Sequence, residues 1–517
     1  MTELNPPPTN NDFAAGVPLA RFEGGGTVTG LAGDTPVIVT RDGDDFHAFE
    51  AVCTHYGAPL SEGAVCSRTV RCPLHHACFS LVTGQAISAP AFDALTRRSV
   101  ELADGLVRVG PAVTGASSIG PGNASQPSGI RRVVIIGGGA AGFAAADTLR
   151  AQGFAGDVVM LSADEALPYD RPNLSKDFLA GTAPAEWMPL KDQSYYEDRS
   201  IEIRTETRVT QIDVRSREIE TDRHGRLAYD RLLLATGARS RTLGIPGAPP
   251  SSLLTLRSMA DAGKLIARLE TAAKIVLVGS GFIGLETAAA LRHRGKSVTV
   301  VSREDVPFGR AFGSRIGQYI RRLHEARGVR FIAPASPVSF DGSTMTLDCG
   351  EILEADLVIA GIGATPNDAL ADQAGLPVAD GVLVDEFLQT AAPDVFAAGD
   401  VARHHNAEIG RPTREEHWVV AQRQGQVAAL NMLGARQPYN EAPFFWTHQF
   451  DMTLKFSGVA GLQDRMSVSG SIDEGEFVAS FFRGDRLTGV ASIGRLQEST
   501  ALHDALNGLY RGNRGTH

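Results

Sequence analysis

The chain has 517 residues, 43% hydrophobic and 21% charged, and its 49 basic and 59 acidic side chains leave a net charge of −10. That length calls for several domains with large cores, and the acidic balance speaks against nucleic acid or an anionic membrane surface as a partner. No apolar run approaches the ~20 residues that cross a bilayer. The opening Met1-Thr2-Glu3-Leu4-Asn5-Pro6-Pro7-Pro8 has neither the basic nor the apolar region of a secretion signal, so a cytoplasmic location is expected.

Residues 1–12 are rich in Pro and Asn and are expected to form a disordered tail. From 13 to 112, short alternating runs such as Thr35-Pro36-Val37-Ile38-Val39-Thr40 are separated by Gly/Asp turns, which predicts a small all-β unit. Within it, Cys53-Thr54-His55 and Cys72-Pro73-Leu74-His75 form the pattern C-x-H-x16-C-x2-H. Cys53, His55, Cys72 and His75 supply two soft thiolates and two imidazoles. That donor set suits tetrahedral zinc, or a [2Fe–2S] cluster with cysteines on one iron and histidines on the other. Structural zinc usually takes a close Cys pair and then a close His pair, whereas each loop here gives one of each, so the spacing favours the cluster. Cys66 and Cys78 are expected to be structural thiols, and His76 to face solvent. With four of five cysteines between 53 and 78, the pattern is that of a local cofactor site and not of a disulfide framework.

Residues 113–129 are a Gly/Ser/Pro linker, whose 17 residues would span roughly 20–25 Å if flexible. Strands and helices then alternate to 434, as in doubly wound sheets. Arg132-Val133-Val134-Ile135-Ile136 runs into Gly137-Gly138-Gly139-Ala140-Ala141-Gly142 and an apolar helix. Ile275-Val276-Leu277-Val278 runs into Gly279-Ser280-Gly281-Phe282-Ile283-Gly284 in the same way. Such a strand–turn–helix lets backbone approach a pyrophosphate, whose charge rests on the helix N-terminus. Two copies predict two bound dinucleotides with hydride passing between them. The first fold is placed at 130–249 and 367–434, the second at 250–366, and a C-terminal α+β domain at 435–517, with a helix near 497–509.

The flanks of the four metal donors, Cys53-Thr54-His55-Tyr56-Gly57-Ala58-Pro59-Leu60 and Cys72-Pro73-Leu74-His75-His76-Ala77-Cys78-Phe79, resemble the Rieske family. High-potential members of that family carry a Cys where this chain has Ala58 and Leu74, and hydroxyl residues where it has Ala77 and Phe79. Fewer hydrogen bonds to the cluster imply a potential near the lower end of roughly −150 to +300 mV. No spacing downstream matches a mononuclear iron held by two His and a carboxylate, so oxygenation is expected to lie with another protein.

Leu167-Pro168-Tyr169-Asp170-Arg171-Pro172-Asn173-Leu174-Ser175-Lys176, Leu232-Leu233-Leu234-Ala235-Thr236-Gly237-Ala238, Val395-Phe396-Ala397-Ala398-Gly399-Asp400 and Glu416-His417-Trp418 resemble the FAD-dependent ferredoxin reductases of bacterial oxygenase systems. The likeness is greatest to the form fused to an N-terminal Rieske domain, the apoptosis-inducing-factor-like group. The resemblance implies FAD in the first fold, contacted by the first glycine loop, Val209, Ala235, Thr236, Gly237, His417 and Trp418. It puts Asp400 on the ribityl chain and Arg171 and Lys176 near the ring system. It also implies NAD(P)H on the second glycine loop and Gly361, and a Lys176–Glu286 pair that positions the nicotinamide. Trp446, in Pro443-Phe444-Phe445-Trp446-Thr447-His448-Gln449-Phe450, would close the flavin pocket.

Two strand ends depart from the pattern. The acid expected for the adenosine ribose of FAD is missing from Leu161-Ser162-Ala163, and Asp164 stands one position late. At the nicotinamide site the same position is Ser302, followed by Arg303 and Glu304. Arg303 could bond a 2′-phosphate and Glu304 could instead reach a ribose, with a slight lean to NADPH. No C-x-x-C or C-x4-C lies near the flavin, which excludes disulfide reductases, Ser175 falls where the NADH oxidases place a cysteine, and Cys349 sits in a hairpin and is expected to be inert. The expected function is electron transfer from NAD(P)H through FAD to the chain's own cluster and on to a ferredoxin, oxygenase or cytochrome-like acceptor, as monomer or homodimer. Reverse flow, or a slow redox-sensing protein like apoptosis-inducing factor, are the alternatives.

Overall fold

β-Branched runs between Gly/Asp turns build two antiparallel sheets in the N-terminal region. The computed structural model describes residues 11–24, 26–66, 68–113, 129–406 and 408–512. Its six-stranded sheet has the order Val17–Pro18, Leu106–Ala112, Arg97–Ala103, Asp45–Glu50, Thr35–Asp42, Thr27–Ala32. Strand Thr27–Ala32 buries every second residue, the period of a sheet with one face in a core. A second sheet joins Ala64–Cys66, Thr69–Arg71, Cys78–Ser80 and Ala86–Ser88. Ile38, Phe49, Leu60, Val70, Phe79 and Leu81 are packed in one cluster with Cys53 and Cys72, so the two Cys/His loops rest on a core.

The last two residues of the expected tail are ordered. Residues 1–10 lie outside the described residues, but Asn11 Nδ2 donates to the Thr29 carbonyl at 2.9 Å and Asp12 bridges Leu31. Of the linker, 114–128 lie outside the described residues as well.

Contacts divide the chain into two units. One gathers the N-terminal β region with Asp147–Phe154 and Arg495–Leu509, and the other holds the two glycine-loop folds and the C-terminal sheet. In the second unit, the first parallel sheet has the order Ile201–Arg204, Asp157–Leu161, Arg132–Ile136, Arg231–Leu234, Val395–Ala397. The second has the order Leu253–Leu254, Leu357–Ala360, Lys274–Val278, Ser297–Val301, Val329–Ile332. Near-continuous Val/Ile/Leu runs suit strands covered on both faces. Each glycine loop leaves the carboxyl end of its strand, where doubly wound sheets bind ligands. The C-terminal sheet is antiparallel and five-stranded, in the order Phe444–Gln449, Met452–Gly458, Arg486–Ile493, Glu476–Arg483, Arg465–Ser471. It is followed by helix Leu496–Gly512, most of which belongs by its contacts to the first unit. Among the described residues no helix is long and apolar enough to cross a membrane.

Candidate functional site

The two Cys/His loops are the same turn built twice. Cys53 N–H donates to the Ala58 carbonyl at 2.8 Å and Gly57 N–H to the Cys53 carbonyl at 2.9 Å. In the second loop Cys72 N–H donates to Ala77 at 2.7 Å and His76 N–H to Cys72 at 3.2 Å. The turn needs a left-handed residue at its fifth position. Gly57 meets that at φ +73°, and His76 takes the same region at +62°, where a Cβ is disfavoured.

His76 was expected to face solvent and does not. It is 2% exposed, and its ring lies 4.2 Å from that of His503 on the C-terminal helix. Arg71 donates to the His76 carbonyl at 2.9 Å and pairs with Asp504 of the same helix. Burial against a helix far off in sequence is what the local pattern could not show. Cys78 is buried as expected of a structural thiol, but Cys66 is exposed, because it ends a short hairpin strand.

Among the described residues no three His, Cys, Asp or Glu side chains converge on a single ion. The donors instead come as two pairs. Cys72 hydrogen-bonds the Cys53 thiol and, with burial, pushes its pKa up, so two thiolates here need the charge of a cation. His55 Nδ1 and His75 Nδ1 face each other at 3.1 Å. Burial lowers the His55 pKa to about 4, which keeps the ring in the neutral form that binds metal. His55 also stacks on Tyr56, with ring centroids 4.1 Å apart. A sulfur pair beside an imidazole pair fits a two-iron centre with unlike ends better than one tetrahedral ion. Phe79 is wholly buried and carries no hydroxyl to donate. Phe79→Tyr is expected to raise the cluster midpoint potential by about 60 mV, the one-electron equivalent of a charge-assisted bond of roughly 1.5 kcal/mol. Redox titration followed by electron paramagnetic resonance reads that shift.

In the second unit the glycine loops open into one cavity of about 1030 Å³, at the upper end for small-molecule sites. Gly137 turns at φ +120° under the Ala235 carbonyl, and a Cβ at Gly142 would strike the Gly137 carbonyl. Gly279 and Gly284 repeat the relation, with Gly361 in the place of Ala235. Backbone packed this closely leaves a cradle that a phosphate, and no side chain, fits. Gly137, Gly139, Ala140 and Ala141 line the cavity, whereas Gly142 supports the turn from behind. Val209, Ala235, Thr236, Gly237, Gly361, Gly281, Phe282 and Ile283 also line it.

Asp164 lines the cavity and accepts the Tyr169 hydroxyl at 2.9 Å. Arg171 lines it too, with its guanidinium over the Tyr169 ring at 4.9 Å. Asp400 lines the cavity paired with Arg257, a residue that sequence reasoning missed. The capping box Ser258-x-x-Asp261 marks the helix start just after it, but nothing local points Arg257 at Asp400. His417 stands at the N-terminal boundary of helix Trp418–Met432 and stacks on Phe445 at 4.2 Å, and burial lowers its pKa. Trp418 and Trp446 complete this wall.

Lys176 Nζ lies 2.7 Å from Glu286 Oε2. Glu286 is 5% exposed and lines the cavity, with Lys176 just behind it. Ser302 and Arg303 do not line the cavity. Ser302 Oγ is 2.8 Å from Ser280 Oγ and accepts Glu304 N–H at 3.1 Å, while Arg303 Nε reaches Ser336 Oγ at 3.1 Å on the surface. Glu304 pairs with Arg310 at 3.2 Å. Cys349 is exposed in the turn between Thr344–Leu347 and Ile352–Glu354.

Three family models match the chain: pyridine nucleotide-disulphide oxidoreductase over residues 131–425, Rieske [2Fe-2S] domain over 18–101, and reductase C-terminal over 444–508. Apoptosis-inducing factor 3 of Homo sapiens is 34% identical over 88% of this chain and 78% of its own length. The anthranilate 1,2-dioxygenase system ferredoxin–NAD(+) reductase component of Burkholderia cepacia is 38% identical over 70% of this chain and 90% of its own. The solved covalent putidaredoxin reductase–putidaredoxin complex has a chain 32% identical, matched over 74% of this chain and 94% of that one with a TM-score of 0.70. An N-terminal β unit with paired thiols and imidazoles, two dinucleotide folds and a reductase C-terminal sheet thus occur in one chain, which belongs to the pyridine nucleotide-disulphide oxidoreductase family as an FAD-dependent ferredoxin reductase fused to a Rieske [2Fe–2S] domain.

Proposed function

We propose that this reductase takes electrons from NAD(P)H through FAD to its own Rieske cluster and on to an external one-electron acceptor. FAD, when bound, supplies the conversion of a two-electron hydride into single electrons, and the cluster supplies a one-electron outlet. Cys53 and Cys72 would hold one iron, His55 and His75 the other. Both glycine loops would seat pyrophosphates on helix N-termini, and Asp164, Arg171 and Asp400 would hold the flavin nucleotide. Lys176 and Glu286 position the nicotinamide, because hydride transfer needs geometry and a matched field and no general acid. Phe445 and Trp446 exclude water over the same pocket.

The observation that carries the reading is the presence in one chain of a paired Cys/His centre and a cavity with two glycine cradles. Covalent linkage keeps the outlet at an effective concentration near the millimolar range. Anaerobic rapid mixing with NADH or NADPH tests the order: flavin absorbance falls first, and cluster absorbance follows. A cluster that stays oxidised while the flavin is fully reduced would refute it.

The acceptor is a ferredoxin, an oxygenase or a cytochrome-like protein, in keeping with relatives that belong to a dioxygenase system and to a complex with putidaredoxin. The clustered thiol ligands fit a reducing cytoplasm, and the molecule works as monomer or homodimer. NADPH is the preferred nucleotide. Ser302 offers no carboxylate to a 2′-hydroxyl and shares its hydroxyl oxygen with Ser280 Oγ and Glu304 N–H, while Arg303 stands exposed beside it. Arg303→Ala is expected to raise the KM for NADPH about tenfold and to leave that for NADH unchanged. No change in either, or an equal change in both, would remove Arg303 from recognition of a 2′-phosphate.

A further inference from the structure

Glu286 receives more than the lysine. Ser175 Oγ lies 2.5 Å from Glu286 Oε2, and Thr447 Oγ1 donates to Glu286 Oε1 at 2.7 Å. Behind Thr447 the bonds continue. Gln449 Nε2 donates to Thr447 Oγ1 at 3.0 Å, and His324 Nε2 lies 2.8 Å from Gln449 Oε1. Thr447, Gln449 and His324 are each 0% exposed.

The direction of every bond is set by one fact. A carboxylate oxygen only accepts, so the Thr447 hydroxyl must donate its single proton to Glu286. Thr447 then accepts from the Gln449 amide, which leaves the Gln449 carbonyl to accept from His324, carrying its proton on Nε2. Three donors in series point the same way and polarise one another toward the carboxylate. Burial lowers the His324 pKa to about 4, so the ring is neutral and its single proton sits on Nε2, facing the Gln449 carbonyl.

The chain also joins three parts of the second unit. Ser175 and Lys176 come from the first dinucleotide fold, Glu286 and His324 from helices Phe282–His293 and Ser314–Glu325 of the second, and Thr447 and Gln449 from strand Phe444–Gln449. The strand period of two puts Phe445, Thr447 and Gln449 on one face. The residue that stacks on His417 is thus in register with the two that hold Glu286.

We propose that His324, Gln449 and Thr447 form a directed hydrogen-bond relay that holds Glu286 in place and thereby sets the nicotinamide-side field of the flavin pocket. They are positioning residues, and the inference rests on the role of Glu286 given under Proposed function. Without Thr447 the carboxylate keeps only its Oε2 partners and turns toward Lys176. Without Gln449 the Thr447 hydroxyl loses the partner that orders it.

The test uses the full-length, FAD-loaded protein with Thr447→Val, Thr447→Ser, Gln449→Leu and Glu286→Gln. At saturating nicotinamide, Thr447→Val and Gln449→Leu are expected to slow flavin reduction about tenfold to a hundredfold, the equivalent of a lost bond to a charged group. The flavin midpoint potential should shift in the same two variants, and Thr447→Ser should restore both rate and potential. A slow Glu286→Gln with wild-type rate and potential in Thr447→Val and Gln449→Leu would overturn the relay and leave the role of Glu286 standing. A wild-type Glu286→Gln would overturn both. If Thr447→Val does not fold, Gln449→Leu, which keeps the Thr447–Glu286 bond, decides the matter alone.

Discussion

Cys72→Ser is expected to yield a protein that is yellow, iron-poor and cut off from its acceptor. Cys72 is 1% exposed and shares its site with Cys53, and a serine oxygen is too hard and too weak an acid to replace a thiolate at iron. Loss of an outer-shell partner already costs roughly 10–100-fold in metal affinity, and loss of a ligand costs more. Reduction of cytochrome c or of a ferredoxin should therefore fall by more than about a hundredfold. The rate at which NAD(P)H reduces the flavin should not change, because the glycine cradles and the Lys176–Glu286 pair belong to the other unit. Iron analysis, low-temperature electron paramagnetic resonance and rapid mixing give the three readings. Full iron content in the variant would remove Cys72 from the ligand set, and fast cytochrome reduction without iron would place the outlet on the flavin itself.

The second large effect comes from one added methyl group. An alanine Cβ at Gly142 would collide with the carbonyl of Gly137 and press on Ile135, and neither can swing aside, since one is backbone and the other is core. Overpacking of this kind costs about 1–3 kcal/mol. It would fall on the turn that shapes the pyrophosphate cradle, so FAD affinity should drop about fivefold to a hundredfold, with a lower melting temperature in the FAD-free protein. Equilibrium binding followed by flavin fluorescence measures the first and thermal unfolding the second. Unchanged FAD affinity would mean that the loop relaxes and that the cradle is not the binding element.

The elements were readable in the sequence to different depths. Cys53, His55, Cys72 and His75 stood out because their loops are local: each turn closes within a few residues, and its pattern can be read within a window of that size. The glycine loops stood out for the same reason, since strand, turn and helix are consecutive. His76 was misread because its environment is supplied by His503, more than four hundred residues on, and nothing local announces a helix arriving there. Asn11 and Asp12 were misread because composition describes a chain's average tendency and not the edge strand that happens to pass by. Arg257, Gln449 and His324 escaped notice because each is an ordinary residue in an ordinary element, and their roles exist only through partners on other segments.

By itself the order of residues determined the Rieske-type β unit, the two dinucleotide folds and the class of chemistry, since all of these depend on contacts a few residues apart. Only the tertiary structure decided which side chains stand behind Glu286, which helix covers His76 and what occupies Ser302. The reason is that a buried polar group takes whichever partner the packing delivers, and packing brings together residues whose separation along the chain carries no pattern.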